Sequence, residues 1–88
     1  MTDEQIITLY GTRWCFDSRR SRRVLDQNNI PYRYVDIDQD AEGRKFVEGV
    51  NHGLRSVPTI VFPDGAILVE PRDDELREKL GISQEARP

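Results

Sequence analysis

Hydrophobic positions along the chain fall into short runs separated by polar, Gly- and Pro-containing stretches. Ile6-Ile7-Thr8-Leu9-Tyr10 is β-branched and aromatic, is closed by Gly11, and reads as a buried strand. Gly11-Thr12-Arg13-Trp14 reads as a loop. From Cys15 to about Asn29 no Pro or Gly interrupts, and Ser18, Ser21, Val24, Leu25 and Asn28 share one face at helical spacing. Asn28-Asn29-Ile30-Pro31 stops that helix, because Asn tolerates a left-handed cap and Pro cannot continue. Residues 32–37 form a second predicted strand. Asp38 or Asp40 caps a second helix, in which Gly43, Phe46, Val47 and Val50 recur on one face until Asn51-His52-Gly53 ends it. Residues 59–62 give a third strand, Pro63-Asp64-Gly65 a tight turn, and residues 66–69 the returning strand. A last helix runs from Pro71 or Asp73 to Leu80, with Leu76 and Leu80 inward and Gly81 as its stop. Residues from about 82 onward read as a frayed tail.

The order βαβαββα predicts an α/β fold with a four-stranded mixed sheet flanked by helices. The first βαβ unit implies a right-handed parallel crossover, and the tight turn makes the last two strands an antiparallel hairpin. Eighty-eight residues support one domain, residues 1–88, with one core and no second.

Composition narrows the function classes. Sixteen acidic against 13 basic residues give a net charge of −3, which argues against nucleic acid or an anionic membrane as the main partner. No apolar run approaches membrane-spanning length, and Met1-Thr2-Asp3-Glu4-Gln5 is too polar for a signal peptide. A single cysteine forms no internal disulfide, so a reducing, cytoplasmic setting is expected. A monomer is the expected state.

That cysteine, Cys15, is the chief candidate for chemistry. It falls at the predicted first turn of a helix, where unpaired backbone N–H groups and the positive end of the helix dipole favour a thiolate. Arg13 precedes it by two residues and Arg19 follows on the same face, while Asp17 opposes them. Cysteines in such settings ionise below the ordinary thiol range. The alternative from position alone is an inert buried cysteine.

Trp14-Cys15-Phe16-Asp17-Ser18 after a strand, with Ser56-Val57-Pro58-Thr59 before a hairpin, resembles the glutaredoxin family. The nearer resemblance is to mycoredoxins and related actinobacterial glutaredoxin-like proteins, over nearly the whole chain from Ile6 to Leu80. Asn51-His52-Gly53-Leu54-Arg55 then looks like the start of the loop before the family's cis-proline. The resemblance implies a thioredoxin fold and a cis Val57–Pro58 bond. It also implies that Cys15 is the nucleophile in thiol-disulfide exchange and that the Val57 backbone orients an extended substrate. Thr12, Arg13, Trp14 and Phe16 would line the substrate groove; Arg44 is a weaker candidate for the same role.

Ser18 departs from the dithiol pattern, where a second cysteine stands three residues after the first. A serine there can hydrogen-bond the Cys15 sulfur but cannot resolve a disulfide, so the chain as written is limited to monothiol exchange. The serine belongs either to a natural monothiol member or to a Cys-to-Ser replacement made to trap a mixed disulfide, and the reading leans to the replacement.

Glutathione-binding glutaredoxins usually carry Gly-Gly after the last strand, where this chain has Glu70-Pro71-Arg72-Asp73. The resemblance therefore implies a low-molecular-weight thiol co-substrate, mycothiol ahead of glutathione, and no bound cofactor. Partners would be proteins in mixed disulfide with that thiol. Arg72 and Asp73 are candidate thiol contacts, Asp73 being equally suited to capping a helix. Arg19, Arg20, Arg22 and Arg23 read as a solvated helix face rather than a nucleic-acid patch. One Cys and the lone His52 offer no metal-ligand spacing. A non-catalytic binding or iron–sulfur module is the rival from another class, and Cys-Phe-Asp-Ser lacks the glycine of the C-G-F-S cluster-binding motif.

Overall fold

The structure, a computed structural model, describes residues 6–82. Its elements are β1 (Ile7–Gly11), α1 (Phe16–Gln27), β2 (Tyr32–Asp36), α2 (Ala41–Val50), β3 (Thr59–Val61), β4 (Ile67–Val69) and α3 (Asp73–Leu80). Strand order is β2-β1-β3-β4, with β1 parallel to β2 and the β1–β3 and β3–β4 pairs antiparallel. The chain thus adopts the mixed sheet and βαβαββα order of a thioredoxin fold. The predicted frayed tail at 83–88 lies outside the described residues.

Alternation along β1 distributes the layers. Ile7 and Leu9 point into a core with Val24 and Leu25 of α1, Ile60 and Phe62 from the β3 segment, and Leu76 of α3. Burying each such side chain contributes about 1.5–3 kcal/mol. Tyr10 points to the opposite face and stacks on Phe46 of α2, ring centroids 4.8 Å apart. The sheet is therefore sandwiched between α1 and α3 on one face and α2 on the other.

Several boundaries differ from the sequence expectation. β1 lies one residue later, and Gly11 belongs to the strand, opposite Asp36, rather than to the loop. The cause is tertiary: a Cβ on Gly11 would stand 2.6 Å from Ser18 Oγ, so a bare backbone is required where α1 crosses. α1 begins at Phe16 with Cys15 as its N-cap, and ends at Gln27 with Asn28 as C-cap. Asn29 then takes the left-handed conformation, φ 56°. β2 stops at Asp36, yet Ile37 stays buried and donates its N–H to Gly11 O at 3.0 Å. Of the two proposed caps of α2, Asp40 is the one used, accepting from Gly43 N at 3.0 Å. Gly43 and Val47 are buried, but Phe46 and Val50 remain 36% and 37% exposed, because α2 covers its face of the sheet only around Tyr10 and Val35. β3 and β4 are three residues each, one shorter than expected. α3 is capped at Arg72, not Asp73, with Glu75 Oε1 accepting the Arg72 N–H at 2.8 Å.

The hairpin tip is tied to α3 by Lys79 Nζ on Asp64 Oδ2 at 2.6 Å, while Asp64 Oδ1 accepts from Ala66 N at 2.9 Å. These bonds, the lysine first, hold the Asp64 carboxyl below the usual carboxylate range. A carboxyl depressed on folding stabilises the native state above its unfolded value, about 3.9, and loses that contribution as pH falls through the folded value. Comparing melting temperatures of wild type and D64N across pH checks this. A gap is expected above about pH 4, closing at lower pH; a gap that widens in acid contradicts the assignment.

Candidate active site

The site is assembled where β1 hands over to α1. Cys15 has extended backbone, φ −80° and ψ 122°, and caps the helix with no hydrogen bond from its own side chain to the first turn. Its N–H is held by Thr12 Oγ1 at 3.1 Å, and its carbonyl receives Arg19 N at 3.1 Å. The Thr12 hydroxyl, expected in the groove wall, therefore acts on the Cys15 backbone. The N–H groups of Phe16, Asp17 and Ser18 meet no backbone acceptor among the described residues, as the first turn of any helix dictates.

Cys15 is half-buried, not sealed in the core. Its Sγ lies 3.8 Å from the Val57 carbonyl oxygen, 42 residues away in the chain. The Val57–Pro58 bond is cis, Pro58 is buried, and the loop before β3 brings the Val57 carbonyl up to the sulfur. Trp14 and Phe16 flank the cysteine at 82% and 74% exposure, and Leu54 on the same loop as Val57 is also exposed. Trp14 takes no part in the core.

Ser18 is fully buried beneath Gly11, and its Oγ has no hydrogen-bond partner, so it makes no bond to the Cys15 sulfur. An unsatisfied buried hydroxyl costs about 1–3 kcal/mol. Arg72 is folded onto its own helix, Nε on Asp74 Oδ1 at 3.0 Å and Nη1 near Glu75 Oε2 at 3.5 Å. Asp73 sits 3.4 Å from Arg20 Nε, and Arg20 Nη2 also pairs with Asp17 Oδ1 at 3.1 Å. The arginine cluster is thus divided. Arg20 joins the first turns of α1 and α3, whereas Arg22 lies 4.1 Å over the Tyr34 ring and donates to Tyr32 Oη at 3.4 Å. Arg13 and Arg19 are exposed and form no ion pair among the described residues. Arg44 belongs to α2, across the sheet from α1, and His52 is exposed on its loop with φ 58°.

Sequence reasoning missed three residues. Arg20 falls in the cluster that reads as a solvated face, although its spacing of three from Asp17 fits a helical ion pair. Asn51 and Thr59 read in the sequence as a helix stop and a strand start, yet Asn51 Nδ2 donates to Thr59 Oγ1 beside the Val57 loop at 3.2 Å. Nothing local in the sequence marks that pair.

A thioredoxin-like sheet with one half-exposed cysteine capping α1, facing the peptide before a cis-proline, defines the redoxin class of thiol-disulfide oxidoreductases. The glutaredoxin family model matches residues 7–67. The chain belongs to the glutaredoxin family. A Mycobacterium tuberculosis protein whose name assigns it to the glutaredoxins is 42% identical over 74 residues, spanning 84% of this chain and 88% of that one. Mycoredoxin 1 of Corynebacterium glutamicum is 36% identical over 74 residues, spanning 84% and 91%. The crystal structure of a glutaredoxin from Methanosarcina mazei superposes with a TM-score of 0.73 at 25% identity, covering 90% of this chain and 81% of that one. No helix among the described residues is long and apolar enough to cross a membrane.

Proposed function

We propose that this oxidoreductase reduces mixed disulfides between cytoplasmic proteins and a low-molecular-weight thiol, mycothiol ahead of glutathione, by a monothiol mechanism. The observation that carries the reading is the half-buried Cys15 sulfur at the α1 N-cap, 3.8 Å from the Val57 carbonyl of the cis-proline loop. The Cys15 thiolate attacks the small-thiol sulfur of the mixed disulfide. A Cys15–small-thiol disulfide forms, and the protein sulfur leaves with the bond's electron pair and takes a proton. A second small thiol attacks that disulfide, releasing the oxidised small-thiol dimer and returning the Cys15 thiolate. Trp14, Phe16 and Val57 supply the docking wall; Arg13 stands beside it.

Two features favour mycothiol. Glu70-Pro71 replaces the Gly-Gly pair, with Glu70 held at φ 50°. The Asp73 carboxylate is paired with Arg20 and the Arg72 guanidinium with its own helix. Arg20 and Arg72 beside these carboxylates oppose the ammonium of a γ-glutamyl thiol, which an acylated thiol lacks, while the buried Asp73 Oδ1, which accepts no hydrogen bond, is left for a neutral donor.

A second reading is favoured by the buried, unpartnered Ser18 Oγ: a less polar thiol suits that position better, as in a dithiol parent with cysteine at 18. One intact-mass experiment tests both. Wild-type protein is mixed separately with mycothiol disulfide and glutathione disulfide. Faster addition of one mycothiol to Cys15 is expected; equal or faster addition of glutathione overturns the preference, and no adduct from either overturns the exchange activity. The S18C variant is expected to shed its adduct as an internal disulfide closes, and a persistent adduct rejects the dithiol reading.

A further inference from the structure

The Val57 peptide that faces the sulfur is held by its neighbours on both sides. The Ser56 carbonyl accepts from the Thr59 hydroxyl at 2.7 Å, and the Pro58 carbonyl accepts from Glu70 N at 2.8 Å. Between these two anchored carbonyls the Val57 carbonyl alone turns out to Cys15 Sγ, and the Val57 N–H is unpaired among the described residues. Thr59 is itself fully buried, and its Oγ1 accepts from Asn51 Nδ2 at 3.2 Å. Asn51 Nδ2 also donates to Val47 O at 2.8 Å, at the end of α2. A relay therefore runs from the α2 C-terminus through Asn51 and Thr59 to the peptide beside the reacting sulfur. The Asn51 amide and the Thr59 hydroxyl both donate within it, and each bond fixes the direction of the next.

We infer that Thr59, oriented by Asn51, is a positioning residue that aims the Val57 peptide at the incoming disulfide. This rests on the exchange activity proposed above and deepens it. Neither residue touches the sulfur; they set the register in which a disulfide is presented to it. Misplacement of a docking group by a fraction of an ångström lowers the rate of a reaction that depends on alignment. It leaves untouched a reaction that needs only the bare sulfur.

That contrast supplies the test. Thr59→Val keeps the shape and removes the hydroxyl, while Thr59→Ser keeps the hydroxyl. Each variant is assayed two ways: rate of Cys15 mixed-disulfide formation against rising mycothiol or glutathione disulfide, whichever wild type prefers, and alkylation by iodoacetamide. For T59V, exchange is expected to slow about tenfold, chiefly through a higher half-saturating concentration, with alkylation within about twofold of wild type. T59S should stay near wild type. Unchanged exchange in T59V overturns the inference. So does a parallel fall of exchange and alkylation, which marks a general structural role. If T59V does not fold, Asn51→Ala carries the same comparison, with the same split expected at about threefold and its absence equally decisive. Wild-type protein that alkylates but accepts neither disulfide removes the parent reading and this one together. Wild-type exchange matched by T59V removes this one alone.

Discussion

Replacing Cys15 by serine is expected to lower thiol-disulfide exchange by on the order of 10³-fold or more, as loss of a nucleophile does, with the fold intact. On the proposed role of Cys15, the change should be mild for stability and fatal for chemistry. Cys15 caps α1 from the N-cap position, where serine is a preferred residue and its oxygen reaches the free N–H groups of the first turn. The half-exposed site has room for the smaller atom. A hydroxyl does not ionise near neutral pH and does not attack disulfide sulfur, so the docking wall and the helix start are left with nothing to activate. Exchange followed by intact mass, with a melting curve on the same sample, checks both halves. With no second cysteine in the chain, C15S should take up no small thiol at all; a melting temperature well below wild type would mean that the thiol was a structural element.

The second large effect concerns Gly11. A Cβ at this position would lie 2.6 Å from Ser18 Oγ and 2.9 Å from Ser18 Cβ, with Leu9 Cδ2 at 3.3 Å. None of these atoms is the loose end of a long side chain, since Ser18 is fully buried in the first turn of α1 and Leu9 is in the core. Relief requires α1 to lift from β1, which opens the core and shifts Cys15 away from Val57 at once. Overpacking of this kind costs about 1–3 kcal/mol, and at the upper end it lowers the melting temperature of a domain this size by roughly 12–24 °C. G11A should therefore melt far below wild type and exchange more slowly even when folded. Gly49 is the internal control, for nothing lies within 4 Å of its added Cβ. G49A should be neutral or slightly stabilising, by up to about 1 kcal/mol. Equal melting temperatures for G11A and wild type would refute the close approach.

Much of this was legible in the chain. The order of elements followed from period and punctuation: alternating apolar runs for strands, Asn29 and Gly81 at left-handed helix ends, and Pro63-Asp64-Gly65 at the hairpin. The cysteine's place at a helix start needed only the absence of breakers after it. What stayed hidden depended on contacts between distant segments. Gly11 looked like punctuation because its use, making room for Ser18, is visible only once α1 crosses β1. Phe46 and Val50 fit a helical stripe, but the stripe is wider than the sheet surface that α2 covers. The partners of Arg20 and Thr59 are fixed by how α3 and the Val57 loop dock, which helical or strand periodicity does not encode.

The sulfur and the carbonyl it faces belong to segments 42 residues apart, brought together by pairing of β1 with β3. A denatured molecule keeps its thiol but loses the opposing wall. Turnover of a disulfide consequently gauges the population of correctly paired chains, whereas simple thiol counting registers native and denatured chains alike.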